Sequence, residues 1–546
     1  MKGVDLIARI LEAEDVEFIV CFPHNDLIEA CAKIGIRPIV CRQERVGLAI
    51  ADGFSRVTNG KRIGVFVCQH GPGAENAFPG VAQAFADNVP ILVLPAGEIS
   101  TRQGVRPVFS SYDNFAHVTK WRARVPGTKQ IAQTLRHAFY RLRSGSPGPV
   151  LVETPLDVMA AEVADPFDYE PVRGSIFAPD PLALNDAARA LAAASKPVIY
   201  AGQGVLFAEA SAELVRLAEM LEAPVLTTMP GKSAFPENHP LSLGASAITK
   251  PDHLMHHLDE ADCVLGMGTS FTHTVYGTSV PRGKVLIQAT ISEEDVNKDY
   301  AIDHVLLGDA KLTLEALIDA LKKLGVDRGL GERAEKVRAH KRAFLESWSE
   351  QLTSDEVPMN QFRVVWELMQ HLEPARTIVT HDAGTPREQI ISFWEAPTPR
   401  AYLGWGKTTQ LGFGLGAVMG AKLAAPDKLC VNIMGDSAVG MVGLDIETAV
   451  RSRIGILTII FNNGIMAIET NALQRAHESF GANFQGGHYA DMATSLGAWA
   501  RRVETPAQFV QALGEAVRAT ESGRPAVIEC MVKAGYDWPG RKRFAH

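Results

Sequence analysis

An aspartate in Met434-Gly435-Asp436-Ser437-Ala438 is followed 26 and 27 positions later by Asn462 and Asn463, and then by Gly464. This spacing constrains the fold more than any other feature of the chain. Between its ends, Val442 to Ile460 first carries a helical pattern through Leu444, Thr448 and Val450, with Asp445 and Glu447 in the first turn. An apolar, β-branched run from Ile454 to Phe461 follows. The order is strand, Gly-Asp-Ser turn, helix, strand, Asn-Asn-Gly turn. A βαβ unit of that order sets Asp436 and Asn463 side by side at the carboxyl edge of a parallel sheet, where open α/β folds bind ligands. A carboxylate and an amide oxygen are hard ligands suited to Mg²⁺ or Ca²⁺, and Mg²⁺ keeps open positions for phosphate oxygens. The pair reads as a metal-diphosphate clamp; the blander alternative is a helix cap at Asp436 and an ordinary turn at Asn462-Asn463-Gly464.

A second constellation lies near the amino end. Ile39-Val40-Cys41-Arg42-Gln43-Glu44-Arg45 is a short β-rich run ending in a carboxylate, and Val46 to Arg56 places small residues at helical spacing. After a turn at Asn59-Gly60, a buried-strand candidate from Ile63 to Cys68 leads into Gln69-His70-Gly71-Pro72-Gly73-Ala74-Glu75-Asn76. A carboxylate at a strand end is by itself a solvated or capping group. The Gly-Pro-Gly turn beside it and the distant clamp give it another meaning.

Together these motifs resemble the thiamine diphosphate-dependent enzymes of the acetolactate synthase, 2-oxo acid decarboxylase and 2-hydroxyacyl-CoA lyase superfamily, and the resemblance reaches both ends of the chain. It implies that Asp436, Asn463 and the backbone carbonyl of Ile465 hold Mg²⁺. It also implies that thiamine diphosphate is bound by Gly73, Asn76, Asp382, Gly384, Gly406, Leu411, Gly435, Ser437, Ala438, Asn463, Ile465 and Met466. Glu44 would grip the aminopyrimidine ring. A buried carboxylate at that ring nitrogen favours the imino tautomer, whose exocyclic nitrogen then serves as an internal base toward C2 of the thiazolium. Each pKa unit of such tuning corresponds to about 1.4 kcal/mol.

The length of 546 residues suits three domains, and 46% hydrophobic with 21% charged residues is the balance of a globular protein. The expected fold class is α/β, with three doubly wound parallel-sheet domains: a pyrimidine-binding domain over 1–165, a central Rossmann-like domain over 183–325 and a diphosphate-binding domain over 356–546. A Pro- and acid-containing passage from Asp165 to Pro181 reads as a linker, and the charged stretch 326–350 as an exposed helical link. Gly202-Gln203-Gly204 in the middle part lacks the third glycine and the following acid of a dinucleotide fingerprint. Gly412, Gly414, Gly416 and Gly420 also resemble a dinucleotide loop, but the family resemblance implies that they pack under the cofactor.

A net charge of −8 without a long basic block argues against a nucleic-acid partner, and Arg541-Lys542-Arg543 reads as a solvated tail. Seven scattered cysteines without a Cys-x-x-Cys pair read as buried free thiols of a reducing compartment. No signal-peptide core and no membrane-spanning run is present, so a cytoplasmic location is expected. The resemblance further implies that the cofactor lies between the first domain of one subunit and the third of its neighbour, so that a homodimer or homotetramer shares its active sites.

The reaction is read less directly. Glu469 lies six residues after Asn463, as does the carboxylate that acts at the substrate in pyruvate and indolepyruvate decarboxylases. The paired histidines of those enzymes are missing from Ser110 to His117. The Gly435-Asp436-Ser437-Ala438 form is similar to the oxalyl-CoA decarboxylase and 2-hydroxyacyl-CoA lyase branch, whereas Lys232 to Gly244 resembles acetolactate synthases as well. His70, before Gly-Pro-Gly, and His24, in Phe22-Pro23-His24-Asn25, stand on loops that reach the site in this family and are candidate catalytic groups. His381 is weighed as a strand-end residue against a site residue, and Thr408 and Leu411 both remain candidates for the apolar wedge that bends the cofactor. The expected activity is decarboxylation of a small 2-oxo acid with protonation or transfer of the remaining fragment. The alternatives are 2-hydroxyacyl-CoA cleavage, an oxalyl-CoA decarboxylase-like reaction, and a non-catalytic cofactor sensor or scaffold.

Overall fold

The computed structural model describes residues 1–163, 167–470, 472–535 and 537–540. The start of the expected linker at Asp165 and the basic run Arg541-Lys542-Arg543 lie outside the described residues. Three six-stranded sheets, parallel throughout, follow one another along the chain. The first comprises β1 (Phe18–Cys21), β2 (Arg37–Val40), β3 (Gly64–Cys68), β4 (Ile91–Gly97), β5 (Trp121–Arg124) and β6 (Val150–Pro155). The second comprises β7 (Pro197–Ala201), β8 (Val225–Thr227), β9 (Ser242–Ala245), β10 (Cys263–Met267), β11 (Val285–Thr290) and β12 (His304–Leu307). The third comprises β13 (Thr377–His381), β14 (Tyr402–Leu403), β15 (Leu429–Gly435), β16 (Leu457–Asn462), β17 (Trp499–Val503) and β18 (Ala526–Met531). β1, β3, β4, β6 and β16 are buried along their whole length, which is why they read as unbroken apolar runs rather than as alternating ones.

The first sheet runs β2-β1-β3-β4-β6-β5 and the third β14-β13-β15-β16-β18-β17, so the two have the same strand order although their sequences show no repeat. The second runs β12-β11-β10-β7-β8-β9. The second order reverses direction once, between β7 and β10; the first and third reverse between β1 and β3 and between β13 and β15, and again at the far edge, where β6 lies inside β5 and β18 inside β17. Loops leaving the carboxyl ends of strands at such a reversal diverge and open a crevice. The loops 22–25 and 69–71 therefore lie at the first switch point, and the loop 382–384 and the helix start at Asp436 at the third.

Two local readings of the sequence shift. Glu44 does not end a strand: Gln43 is the last extended residue, and the helix Glu44–Val57 begins on the carboxylate itself. Likewise no separate turn follows β15, because the helix Asp436–Val442 starts directly on the aspartate. Both carboxylates thus sit in the first turn of a helix, where the free N–H groups and the helix dipole favour negative charge.

The glycine series divides in two. A Cβ on Gly416 would lie 2.5 Å from the Ala49 Cβ, one on Gly420 2.1 Å from the Ile50 carbonyl oxygen, and one on Gly53 2.2 Å from the Ala417 carbonyl oxygen. Gly416 and Gly420 are thus packing glycines at a helix contact. They let the helix Phe413–Ala424 lie backbone to backbone on the helix Glu44–Val57, and one hydrophobic core runs through Val46, Leu48 and Phe54 into Leu415, Val418 and Met419. Elsewhere the charged stretch forms the helix Glu332–Ser347, with Ala334, Val337 and Phe344 buried, so one face of this link is packed rather than exposed. The linker docks through Tyr169, whose hydroxyl donates to Glu14, and through the Val172 carbonyl, which accepts from Arg143 at 2.9 Å. All seven cysteines are buried and free.

Candidate active site

At the first switch point the Asn25 amide donates to the Cys68 carbonyl at 2.8 Å, while its oxygen caps the following helix by accepting from Leu27 N–H at 3.0 Å. This bond ties the loop after β1 to the end of β3. The His24 N–H donates to Gln69 Oε1 at 3.4 Å, which brings the two histidine-bearing loops together. Their side chains face outward: His24 is 81% exposed beside Asp26, and His70 is 40% exposed with its Nε2 3.9 Å from Glu98. Gly71 adopts φ +64, and a Cβ there would meet nothing within 4 Å. Gly73 lies against Glu44, its Cβ position 3.6 Å from Glu44 Oε1. Glu44 is buried, and that burial raises its pKa, offset by hydrogen bonds from its own N–H and from the Asn76 side chain. Glu44, Gly73 and Asn76 thus form one cluster, with His70 and His24 on the rim.

The third switch point carries the second cluster. Asp382, fully buried at the end of β13, accepts from Ala383 N–H at 2.8 Å and from the N–H groups of Gly412 and Gly414 at 2.9 Å each. Burial nonetheless pushes its pKa up to about 7. Its carboxylate is taken up by these donors, so it fixes the start of the helix Phe413–Ala424 and, beside it, Leu411. Gly384 at φ +97 and Gly435 have no atom within 3.8 Å of a Cβ position and present bare backbone to open space. Asp436 accepts from Ser437 N–H and from Gly464 N–H, each at 2.8 Å, and burial raises its pKa. Asn463 Oδ1 accepts from Ile465 N–H at 3.1 Å. Its neighbour Asn462 donates to Glu529 of β18 at 2.7 Å and accepts from Gly464 N–H at 3.2 Å, so it ties the loop to β18.

Beyond the clamp, the chain folds back on itself. Met466 N–H donates to the Asn483 carbonyl at 2.9 Å, Gln485 N–H to the Gly464 carbonyl at 2.8 Å, and Ile465 pairs with Phe484. Glu469 lies half-buried in the turn that follows. His381 is sandwiched in the interior, its ring 4.9 Å from that of Trp405 and nearly parallel to it, which is the strand-end role. The Thr408 hydroxyl donates to Gln83 at 2.9 Å, whereas Leu411 packs with Ala383, Trp405 and Phe413. Of the two, only Leu411 offers an apolar surface beside the 382–384 loop.

The residues at the third switch point fit a metal-bound diphosphate. Ser437 Oγ is buried and has no hydrogen-bond partner among the described residues, although it sits in the first turn of a helix next to Asp436. A hydroxyl left unpaired in that place is a donor with its acceptor missing, and a phosphate oxygen supplies one. The ligands available for a metal are oxygens: the Asp436 carboxylate, the Asn463 amide and the Ile465 carbonyl. No cluster of three His, Cys, Asp or Glu residues able to hold a metal occurs among the described residues, and an amide and carbonyl site of this kind would not form one.

Sequence reasoning missed the residues that connect the clusters. Arg42 N–H donates to Asp445 at 2.7 Å, and Arg42 Nε pairs with Glu447 at 2.9 Å, so the loop before Glu44 rests on the segment after Asp436. No hydrogen bond among the described residues joins Glu44 itself to Asp382, Asp436 or Asn463. A further cleft of about 240 Å³ opens at the switch point of the second sheet, between Gly202-Gln203-Gly204 after β7, Gly268-Thr269 after β10 and Lys407 of the third domain. A Cβ on Gly202 would lie 2.2 Å from the Gly268 carbonyl oxygen, so Gly202 serves a loop crossing rather than a phosphate. No helix among the described residues is long and apolar enough to cross a membrane.

Comparison with known proteins agrees with this geometry domain by domain. Residues 1–118 match the thiamine pyrophosphate enzyme N-terminal TPP binding domain, 184–317 the central domain, and 382–530 the C-terminal TPP binding domain. A probable acetolactate synthase large subunit of Methanocaldococcus jannaschii is 30% identical, over 95% of this chain and 90% of the relative. One of Methanococcus aeolicus is 29% identical over 95% and 91%. The acetolactate synthase isozyme 3 large subunit of Escherichia coli is 27% identical over 85% and 82%. With a family match to each of the three sheets and relatives aligned almost end to end, the chain belongs to the thiamine pyrophosphate enzymes, as a thiamine diphosphate-dependent enzyme of carboligase or decarboxylase chemistry related to the acetolactate synthases.

Proposed function

We propose that this enzyme is a thiamine diphosphate- and Mg²⁺-dependent decarboxylase and carboligase of small 2-oxo acids, of the acetolactate synthase type. The observation that carries this reading is the Asp436 carboxylate, which bridges Ser437 and Gly464 N–H beside the unpaired Ser437 hydroxyl and the Asn463 amide. When bound, thiamine diphosphate supplies a carbon nucleophile that adds to a carbonyl and accepts the electrons freed as the neighbouring C–C bond breaks. Asp436, Asn463 and the Ile465 carbonyl would hold Mg²⁺, and Ser437 with the Gly384 and Gly435 backbone would orient the diphosphate. Glu44 would hold a proton at the pyrimidine ring nitrogen; its burial makes that proton easier to share than at an exposed carboxylate. Leu411 would support the bent cofactor. His70 and His24, on loops at the first switch point, and Glu469, in the segment after β16, would move protons at the substrate, since all three stand outside the core.

The site is proposed to be shared between two copies of the chain. Phe78 and Phe85, on the helix after Gly-Pro-Gly, are 39% and 41% exposed, and Met441 and Leu444, just after Asp436, are 49% and 59% exposed. Large apolar side chains at both motifs support a second copy seated there. The relatives favour 2-oxo acid chemistry over 2-hydroxyacyl-CoA cleavage. The test is to incubate the protein with Mg²⁺, thiamine diphosphate and a panel of 2-oxo acids and 2-hydroxyacyl-CoAs, following CO₂, aldehyde and acyloin by mass spectrometry. CO₂ and a coupled hydroxy-ketone from 2-oxo acids are expected. Aldehyde and formyl-CoA from the thioesters alone would replace this reading with the lyase.

A further inference from the structure

We infer that Asp87, a first-domain residue outside both motifs, is the positioning residue that sets the Gly404–Thr408 loop and thereby the seat of the thiamine diphosphate in the third domain. The inference rests on the cofactor reading above. Asp87 follows the helix Pro72–Ala86 and is fully buried. Its Oδ2 accepts from Gly406 N–H at 3.1 Å, Arg56 Nη2 at 2.9 Å and Gln83 Nε2 at 2.8 Å, and its Oδ1 accepts from Lys407 N–H at 3.0 Å. The same partners hold the loop at two more points. Arg56 Nη1 donates to the Gly404 carbonyl at 3.1 Å, and Gln83 Oε1 accepts from the Thr408 hydroxyl at 2.9 Å. The Asp87 carbonyl in turn accepts from Gln203 of the second domain. The Asp87 carboxylate therefore joins the first and third domains, and its backbone carbonyl adds a contact to the second.

The loop does not choose this shape by itself. Gly406 sits at φ +124, a backbone region that side-chain-bearing residues rarely adopt, and a Cβ on Gly404 would lie 1.7 Å from the Met229 carbonyl oxygen. Its far end is held by Asp382 through Gly412 and Gly414. The segment carrying Gly406 and Leu411 is thus suspended between two buried carboxylates, Asp87 at one end and Asp382 at the other. Arg56 also pairs with Asp52, so removing the Asp87 charge leaves it a buried partner.

Asp87→Asn and Thr408→Val test this in the full-length protein with Mg²⁺. Three quantities are read: the unfolding midpoint without cofactor, the thiamine diphosphate Kd by tryptophan fluorescence, and the near-ultraviolet circular dichroism of the bound cofactor at saturation. Asp87→Asn is expected to raise Kd at least tenfold and to alter the dichroism band, with the cofactor-free midpoint within a few degrees of wild type. Thr408→Val, which removes one exposed hydroxyl and keeps the inference testable should Asp87→Asn not fold, is expected to raise Kd about threefold. Wild-type affinity and an unchanged band in Thr408→Val, or in a folded Asp87→Asn, overturn the inference while wild-type binding upholds the cofactor reading. A wild-type protein that does not bind thiamine diphosphate overturns both.

Discussion

The carboxylate of Asp436 accepts the Gly464 N–H at 2.8 Å, so the two halves of the proposed clamp are tied together by the protein itself. Burial raises the Asp436 pKa, and a cation is what such a group needs to stay ionised. Asp436→Asn keeps the shape and one acceptor oxygen but loses the charge. We expect it to weaken thiamine diphosphate binding in Mg²⁺ by at least about tenfold, the scale seen when a metal site loses a partner. Wild-type protein treated with EDTA should bind the cofactor as weakly as the variant does. Titration calorimetry checks this, and an Mg²⁺-independent affinity in wild type would remove the metal from the site.

Glu44→Gln removes a shareable proton and keeps the hydrogen-bonding outline beside Asn76 and Gly73. Loss of a positioned general acid-base group costs about 10²–10⁴ in rate. Turnover is expected to fall by at least about 100-fold, with cofactor Kd changed less than about threefold, the two effects being separable because the residue lies outside the diphosphate clamp. Steady-state rates on the preferred 2-oxo acid and a parallel binding titration measure them; full activity in the variant would sink the proton-sharing role.

How much of this was readable beforehand follows from the range of each interaction. The clamp was legible because Asp436, Ser437, Asn463 and Ile465 bond to residues within one βαβ unit. The matching strand orders of the first and third sheets followed from the strand and helix alternation and the family resemblance, not from any repeat. Gly412 and Gly414 look like Gly416 and Gly420 in sequence, yet one pair bonds to Asp382 and the other packs on Val46 and Ile50, more than 360 positions away. Only the tertiary neighbour separates them. The same holds for Asp87, an unremarked acid in sequence whose loop partners lie 319 and 320 positions downstream. In sequence Glu44 reads as the end of a strand, because the extended Gln43 hides the helix start from a periodicity argument.

Asp382 and Asp445 are expected to make the cofactor-free protein less stable as pH rises from 4 to 8, against His253, His257 and His381, whose pKa values burial lowers and which add stability as pH rises toward 6.5. Burial raises Asp382 from the ordinary 3.8 to about 7, and Asp445 to about 6. For a carboxyl whose folded pKa is raised, the folded state holds the extra proton. Its contribution is therefore complete below the ordinary value and is lost as pH rises through the folded one. Asp382→Asn cannot titrate, so the difference between its unfolding midpoint and that of wild type should shift in favour of the variant as pH rises over this range. A difference that stays constant from pH 5 to pH 8 would show that Asp382 is ionised throughout.

Gly420→Ala tests the contact between the first and third domains without touching the cofactor residues. Alanine is favoured over glycine in a helix by about 1 kcal/mol, so in a free helix the change would stabilise. Here the new Cβ would lie 2.1 Å from the Ile50 carbonyl oxygen and 2.6 Å from the Phe54 nitrogen, backbone atoms that cannot swing aside. The two helices must separate, and overpacking of this kind costs about 1–3 kcal/mol, which outweighs the propensity gain. Gly514→Ala is the control: it lies on the exposed face of the helix Pro506–Glu521, with only the Arg518 tip at 3.8 Å. Thermal unfolding should show Gly420→Ala clearly below wild type and Gly514→Ala at or above it. Equal midpoints for the two variants would mean that the helices Glu44–Val57 and Phe413–Ala424 do not meet backbone to backbone.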